Sequence, residues 1–216
     1  MSSSLIASVL HLDRRAISAL RITDPYSLHR VVYSLFPDVR SEDEKTASKA
    51  SGIVFADLGG DVRGRQILLL SNRMPQATVD GEYGEVQSKP ITDHFLQHDH
   101  YRFKVIVNPT RRDIVSKKLV AVRGREAVAS WFMERAEASW GFLVDPQHLH
   151  LDKIDVLRFQ DKHQHSVTMA QAHLQGVLRV SDRAQFLQSF AQGIGRGRAF
   201  GTGLLQLVPL IDNTIA

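Results

Sequence analysis

Five glycines fall within eleven residues near the end of the chain, in the run Gly193-Ile-Gly195-Arg-Gly197-Arg-Ala-Phe-Gly201-Thr-Gly203. No other feature restricts the fold as much. Glycine reaches positive φ at no steric cost and lets another backbone come close, so a run this dense marks a shaped loop. The segment before it, Asp182 to Gln192, has helical spacing and a capping pair at Asp182 and Gln185. The segment after it, Leu204 to Leu210, is an apolar run of strand length. Helix, glycines, strand is the reverse of the order in a dinucleotide-binding turn. Arg196 and Arg198 stand among the glycines. Guanidinium groups beside outward-turned N–H groups favour an anion, phosphate above all. Taken alone, the glycines fit a flexible turn that closes a helix equally well.

Working back from this loop, the elements fall into a repeated order. Leu5 to Leu12 reads as a strand. Asp24 is a good N-cap and Pro25 suits the first helical position. Leu28, Val31, Val32, Leu35 and Phe36 then give an amphipathic helix that Pro37 stops. Ser41 to Ser51 reads as a polar loop. Ile53 to Leu58 and Gln66 to Ser71 read as a strand pair turned at Gly59-Gly60-Asp61, and Met74 to Gln87 fits no single pattern. In the second half the spacing predicts a strand over Tyr101 to Val107, a helix over Arg123 to Trp140, and strands over Leu149 to Phe159 and Val167 to Val180. The order β-α-β-β-α-β is ferredoxin-like, and 216 residues accommodate two such units. The expected fold class is α+β, with tandem ferredoxin-like units over 1–92 and 100–216.

Charge is concentrated. The chain sums to +4, yet Arg102 to Arg125 alone carries +7: Arg102, Lys104, Arg111, Arg112, Lys117, Lys118, Arg123 and Arg125 against Asp113. A basic patch on a near-neutral body is the footprint of a nucleic-acid binder; the bland alternative is a solvated basic loop. With no cysteine, disulfides, thiol nucleophiles and cysteine-ligated zinc are excluded. Three His-x-His pairs, at 98/100, 148/150 and 163/165, have no third ligand at a recognisable spacing, so no metal and no cofactor is expected. Neither a signal peptide nor a membrane-spanning run is recognised, and the expected address is the cytoplasm.

Several stretches together resemble the CasE-type CRISPR repeat-processing endoribonucleases of the RAMP superfamily. They are Asp-Pro-Tyr-Ser-Leu-His-Arg at 24–30, the Tyr-Arg-Phe-Lys to Asn-Pro-Thr-Arg-Arg strand end at 101–112, Val-Ala-Ser-Trp-Phe at 128–132, Gln-Gly-Val-Leu-Arg-Val-Ser-Asp at 175–182 and the glycine loop. The resemblance implies tandem ferredoxin-like, or RRM-like, domains. It implies an RNA partner, the repeat hairpin of a CRISPR precursor, cut without a metal at the hairpin's 3′ base. The mature guide RNA would stay bound among the other subunits of a surveillance complex. The family's tyrosine and histidine match Tyr26 and His29, and its cation within the glycine loop matches Arg198.

These residue types suit the chemistry. Cleavage by a 2′-hydroxyl needs in-line geometry, proton transfer and neutralisation of charge on the phosphate. Histidine titrates near neutrality, and Tyr26 and His29 share one helix face near the helix start. His29 is the expected general acid or base, Tyr26 the orienting hydrogen-bond donor and Arg198 the electrostatic stabiliser. Arg102, Lys104, Arg111, Arg112, Lys117, Lys118 and Arg196, with Gly195, Gly197, Gly201 and Gly203 of the loop, are the expected RNA contacts. Arg158 and Lys162 are expected to enter a groove of the hairpin. A non-catalytic RNA-binding subunit of the same fold is the rival reading, and a protein–protein subunit a third.

Overall fold

The computed structural model describes residues 5–37, 51–161 and 163–210. The expected Ser41 to Ser51 loop, apart from Ser51, and Lys162 lie outside these residues. Two antiparallel sheets carry the chain. The first is built from β1 (Ile6–Leu12), β2 (Ile53–Gly60), β3 (Arg65–Ser71) and β4 (Glu85–Pro90), in the spatial order β2-β3-β1-β4. The second contains β5 (His100–Val107), β8 (Phe142–Val144), β10 (Ser166–Val180) and β11 (Gln206–Pro209), in the order β11-β5-β10-β8. Strand β9 (His150–Gln160) also pairs with β10. It continues the edge that β8 begins, because β8 meets Leu178 to Val180 and β9 meets Ser166 to Gln175. In each sheet the first and third strands of the unit are central and the second and fourth lie at the edges, which is the tandem ferredoxin-like arrangement.

The units differ in their helices. In the first, α1 (Arg14–Ala19) and α2 (Pro25–Ser34) fill the first crossover. The second crossover, residues 72–84, is irregular and contains no helix. The second unit has both, α3 (Arg125–Arg135) and α4 (Arg183–Gln192). A two-stranded ribbon, β6 (Thr110–Arg112) and β7 (Leu119–Ala121), projects between β5 and α3.

Helix α2 begins where its chemistry dictates. The Asp24 carboxylate accepts from the Ser27 N–H at 2.7 Å, and the Ser27 hydroxyl accepts from the Asp24 N–H at 3.0 Å. This reciprocal box, with Pro25 in the first turn, satisfies helix-start donors that would otherwise lack partners. The buried side chains Leu28, Val31 and Val32 pack with Leu10, Phe55, Ile67 and Leu69 on one face of the first sheet. Each such side chain contributes roughly 1.5–3 kcal/mol on full burial. The opposite face of the sheet is covered too, since Ile53, Val54, Phe55 and Ala56 are buried in succession. Val54, Ala56 and Leu70 belong to the larger core, with Tyr101, Phe103, Phe132, Phe186 and Phe190 of the second unit. A strand buried on both faces reads as a continuous apolar run. One hydrophobic core therefore spans both units. No helix among the described residues is long and apolar enough to cross a membrane.

Candidate active site

The glycine loop packs against α2. His29 donates from Nδ1 to the Ala199 carbonyl across 2.9 Å, bringing together residues 170 positions apart. A carbonyl only accepts, so this bond places the proton of the neutral ring on Nδ1 and leaves a lone pair on Nε2. Aromatic rings surround the imidazole: Tyr33 at 4.2 Å between centroids, Phe200 at 5.7 Å and Tyr26 at 6.1 Å. Tyr33 is itself tied to Ser51 by a hydroxyl–hydroxyl bond of 3.0 Å. Phe200 is backed by Phe159 of β9 at 4.7 Å. Burial among these rings depresses the His29 pKa below its ordinary 6.5, and the Ala199 bond offsets part of that effect. The ring is thus predisposed to be neutral near pH 7, the state required of a base.

The loop does this work through its shape rather than as an open cradle of N–H groups. Much of its donor capacity is spent internally. The N–H groups of Ile194, Phe200, Gly201 and Gly203 donate to the carbonyls of Gly203, Gly197, Arg198 and Ile106, respectively. Gly197 and Gly201 lie close against Met169 and Phe55. For Gly201 and Gly203 the expectation of outward-turned donors is corrected: their amides donate to the carbonyls of Arg198 and Ile106. Arg198 is held against the preceding helix through one of its nitrogens. Its Nη1 donates to the Gln192 carbonyl at 3.0 Å and to that of Gly193 at 3.3 Å. The guanidinium is engaged at the C-terminal end of α4, where free carbonyls and the helix dipole attract a cation. It therefore ties the loop to that helix.

The basic residues fall on two surfaces. Arg102 and Lys104 are exposed on β5, on the sheet face away from Tyr101, Phe103 and Val105. Arg111, Arg112, Lys117 and Lys118 are exposed on the β6–β7 ribbon, where Arg112 also donates to the Lys117 carbonyl at 2.8 Å. At the ribbon tip Ile114 and Val115 stand 82% and 90% exposed. The foot of the ribbon joins the glycine loop through a backbone bridge between Asn108 and Arg196. The ribbon, the loop and His29 are thus mechanically continuous. Arg158 is exposed on β9, paired with Thr168 of β10. Gly195 is open, with nothing within 4 Å of its Cβ position. The His-x-His pairs do not converge: His148 pairs with Asp145 at 2.6 Å and His165 with Asp161 at 3.5 Å. Among the described residues no three histidine, aspartate or glutamate side chains are grouped to hold a metal ion.

Sequence reasoning missed Tyr33, Phe200 and the Ala199 carbonyl. Tyr33 was accessible in principle, because four residues from His29 is one helical turn. A backbone carbonyl 170 residues away carries no side-chain signal.

The model of a family described as CRISPR associated protein matches residues 6–209. Among curated proteins none matches the sequence. Solved structures are similar in fold. A CRISPR endoribonuclease Cse3 bound to 19 nt RNA aligns with a TM-score of 0.77 at 20% identity, over 95% of this chain and 100% of that one. Cas6e from Escherichia coli str. K-12 aligns with a TM-score of 0.60 at 19% identity, over 95% and 100%. A chain of a CRISPR RNA-guided surveillance complex in its pre-nicking state aligns with a TM-score of 0.64 at 23% identity, over 96% and 100%.

Proposed function

As the chain belongs to the CRISPR associated protein family, we propose that it is a CasE-type endoribonuclease that binds the repeat hairpin of CRISPR precursor RNA and cuts at the hairpin's 3′ base. In this reading residues 1–92 carry the catalytic helix, and residues 100–216 carry the hairpin-binding elements and the glycine loop. Cleavage proceeds without a metal, in the cytoplasm. The guide RNA stays bound as the protein sits among the other subunits of a surveillance complex.

One observation carries the reading: the His29 imidazole is oriented by the Ala199 carbonyl of a distant loop, and burial shifts it toward its neutral form. A half-buried histidine in an ordinary helix does not need a glycine-rich loop delivered to it. His29 Nε2 takes the proton of the 2′-hydroxyl. The 2′-oxygen bonds to phosphorus and the P–O5′ bond breaks. A 2′,3′-cyclic phosphate and, after protonation, a 5′-hydroxyl result. Tyr26, three residues earlier on the same helix face, orients the phosphate by donating a hydrogen bond. Arg198 serves the site by anchoring the loop that fixes His29. Arg102, Lys104, Arg111, Arg112, Lys117, Lys118, Arg158 and Arg196 hold the RNA backbone, with Lys162 assigned to the same role. Duplex RNA is bound mainly through phosphates and shape.

The test is a labelled repeat hairpin incubated with the protein in EDTA, followed by end-group analysis. The parent yields a 5′-hydroxyl product. His29→Ala loses cleavage while its hairpin affinity stays within a few fold. Parent protein that binds the hairpin without cutting it leaves the non-catalytic RNA-binding subunit as the correct reading.

A further inference from the structure

We propose that Phe159 is a positioning residue for cleavage: from the β9–β10 hairpin it holds Phe200, and through Phe200 the glycine loop, against the imidazole of His29. This rests on the endoribonuclease reading and adds to it the support of the loop. The Ala199 carbonyl fixes His29 across 2.9 Å, yet Ala199 has only a methyl group with which to anchor itself. It lies in a single 3-10 turn, Arg198–Phe200, between Gly197 and Gly201, both left-handed at φ +81° and +82°. One turn closed by two glycines has little rigidity of its own, so its place is set from outside.

The outside support is the far end of the β9–β10 hairpin. Strand β5 pairs with β10 only over Ala172 to Arg179, and β8 only over Leu178 to Val180. Ser166 to Gln171, paired with Asp155 to Gln160, therefore extend past the sheet as two strands alone among the described residues. Two isolated strands are marginal in water unless an apolar face is packed. Phe159 and Met169 supply that face: they are 7% and 5% exposed, whereas Arg158, Gln160, Ser166 and Thr168 around them are exposed. Phe159 stands opposite Val167 and Leu157 opposite Met169, so Phe159 and Met169 are diagonal neighbours on one face of the pair. Neither belongs to the two core clusters. Their burial is against the loop.

Met169 and Phe159 grip the loop on either side of Ala199. The Met169 Sδ lies 2.6 Å from where a Cβ on Gly197 would stand, a closeness that only glycine permits. The Phe159 ring meets Phe200 at 4.7 Å between centroids and 57° between planes. Phe200 in turn meets His29 at 5.7 Å and 49°. Tilted rings at such separations attract one another, so Phe200 is held between two rings and stays put while Phe159 is in place. Strand β9 also comes up against α2 directly. Without Phe159 a cavity opens behind Phe200, the 198–200 turn relaxes into it, and the bond from His29 Nδ1 to Ala199 is lost part of the time. The freed imidazole then populates both neutral tautomers. Only the tautomer with a bare Nε2 accepts the 2′-hydroxyl proton at that atom.

The experiment compares parent, Phe159→Ala, Phe159→Leu, Phe200→Ala and the double variant Phe159→Ala/Phe200→Ala in single-turnover cleavage of the labelled hairpin at saturating protein, with affinity measured in parallel. Phe159→Ala is expected to lose roughly 10–100-fold in rate, the scale of a displacement near 1 Å at a reacting group, while its affinity stays within about threefold. Phe159→Leu keeps apolar bulk and should recover part of the loss. The double variant should be slower than Phe200→Ala by no more than about twofold, because the two residues act in series. Val156→Ala, 57% exposed on the opposite face of the same hairpin, should cut at the parent rate. Histidine-selective nitrogen NMR gives a readout apart from activity: the His29 signal, identified by its absence from His29→Ala, should report a proton on Nδ1 in the parent and a tautomer mixture in Phe159→Ala. A parent that cuts, with Phe159→Ala within about threefold of it, overturns this inference alone. So does a loss that adds in full to that of Phe200→Ala, or one accompanied by an equal loss of affinity or an unchanged His29 tautomer. A parent that does not cut overturns it together with the endoribonuclease reading.

Discussion

Gly203→Ala tests whether the shape of the loop controls the chemistry. Gly203 has φ +87°, and a methyl group there would lie 2.3 Å from the Ile194 carbonyl oxygen and 3.1 Å from Arg198 Cγ. The same residue donates its N–H to the Ile106 carbonyl at 2.7 Å and accepts from the Ile194 N–H at 2.8 Å. The left-handed conformation alone costs an alanine about 1–2 kcal/mol. Relieving the contact with a backbone oxygen requires a shift of about 1 Å, which sacrifices one of those buried bonds at a further cost of about 1–3 kcal/mol. A total near 3 kcal/mol lowers the melting temperature by about 6–12 °C at this chain length. Gly195→Ala is the matched control: its φ is +71°, but nothing lies within 4 Å of the added methyl. It should show the conformational cost only, a shift of about 2–8 °C. In cleavage the two should separate further. Ala199, which positions His29, lies four residues from Gly203, and a displacement of about 1 Å at a reacting group can cost on the order of 100-fold. Thermal melts and single-turnover rates on the two variants decide the matter. If Gly203→Ala matches Gly195→Ala in both, close approach at residue 203 plays no part in building the site.

Two further predictions concern titration and salt. Because burial lowers the His29 pKa, the acid limb of kcat/KM, which reports the free enzyme, should lie below pH 6.5. Tyr33→Ala hydrates the ring and should move that limb upward toward 6.5, whereas Tyr33→Phe keeps the ring and should leave it in place; an unmoved limb in Tyr33→Ala would show that Tyr33 does not shield the imidazole. Stability has the same sign: the unfolded chain takes up the His29 proton near pH 6.5 while the folded chain resists it, so melting temperature should fall as pH drops below 6.5. Alanine at Arg111, Arg112, Lys117 or Lys118 should each reduce the salt slope of hairpin binding by about one, measured as log Kd against log salt; unchanged slopes in all four would remove the ribbon from the RNA interface.

What could be read from the sequence followed from short-range physics. Asp24, Pro25 and the spacing from Leu28 to Phe36 fix the start, face and end of α2 through local bonds and one periodicity, so the helix was legible. The same holds for Asp182, whose carboxylate accepts from the Gln185 N–H at 3.0 Å. Helix α1 was not legible, because its six residues are too few for a periodic pattern. The β6–β7 ribbon has strands of three residues, which read as a charged loop. In the first unit the irregular stretch between β3 and β4 takes the place of the second helix, and Met74 to Gln87 accordingly matched no template. At the site, Tyr26 and His29 were readable as a pair on one helix face. The engagement of Arg198 with α4 was not, because arginine among glycines near a helix end suits a bound anion and the helix's own carbonyls equally well.

The site depends on the shared core more than on either unit. His29 belongs to the first unit and Ala199 to the second, and the bond between them exists only where the two are docked. What docks them is apolar: Val54, Ala56 and Leu70 on the outer face of the first sheet enter the core that holds Phe190, Ile194, Leu204 and Leu205. Ile194 lies within the glycine run, and Leu204 and Leu205 follow it directly. The residues that bury the interface therefore also set the height of the loop above α2. A ferredoxin-like sheet with one covered face can leave the other face to solvent. Here that second face is used to dock the partner unit, and the loop's glycines then let its backbone close down on the helix. The placement of His29 against the loop and the docking of the two units are, in this protein, one packing problem.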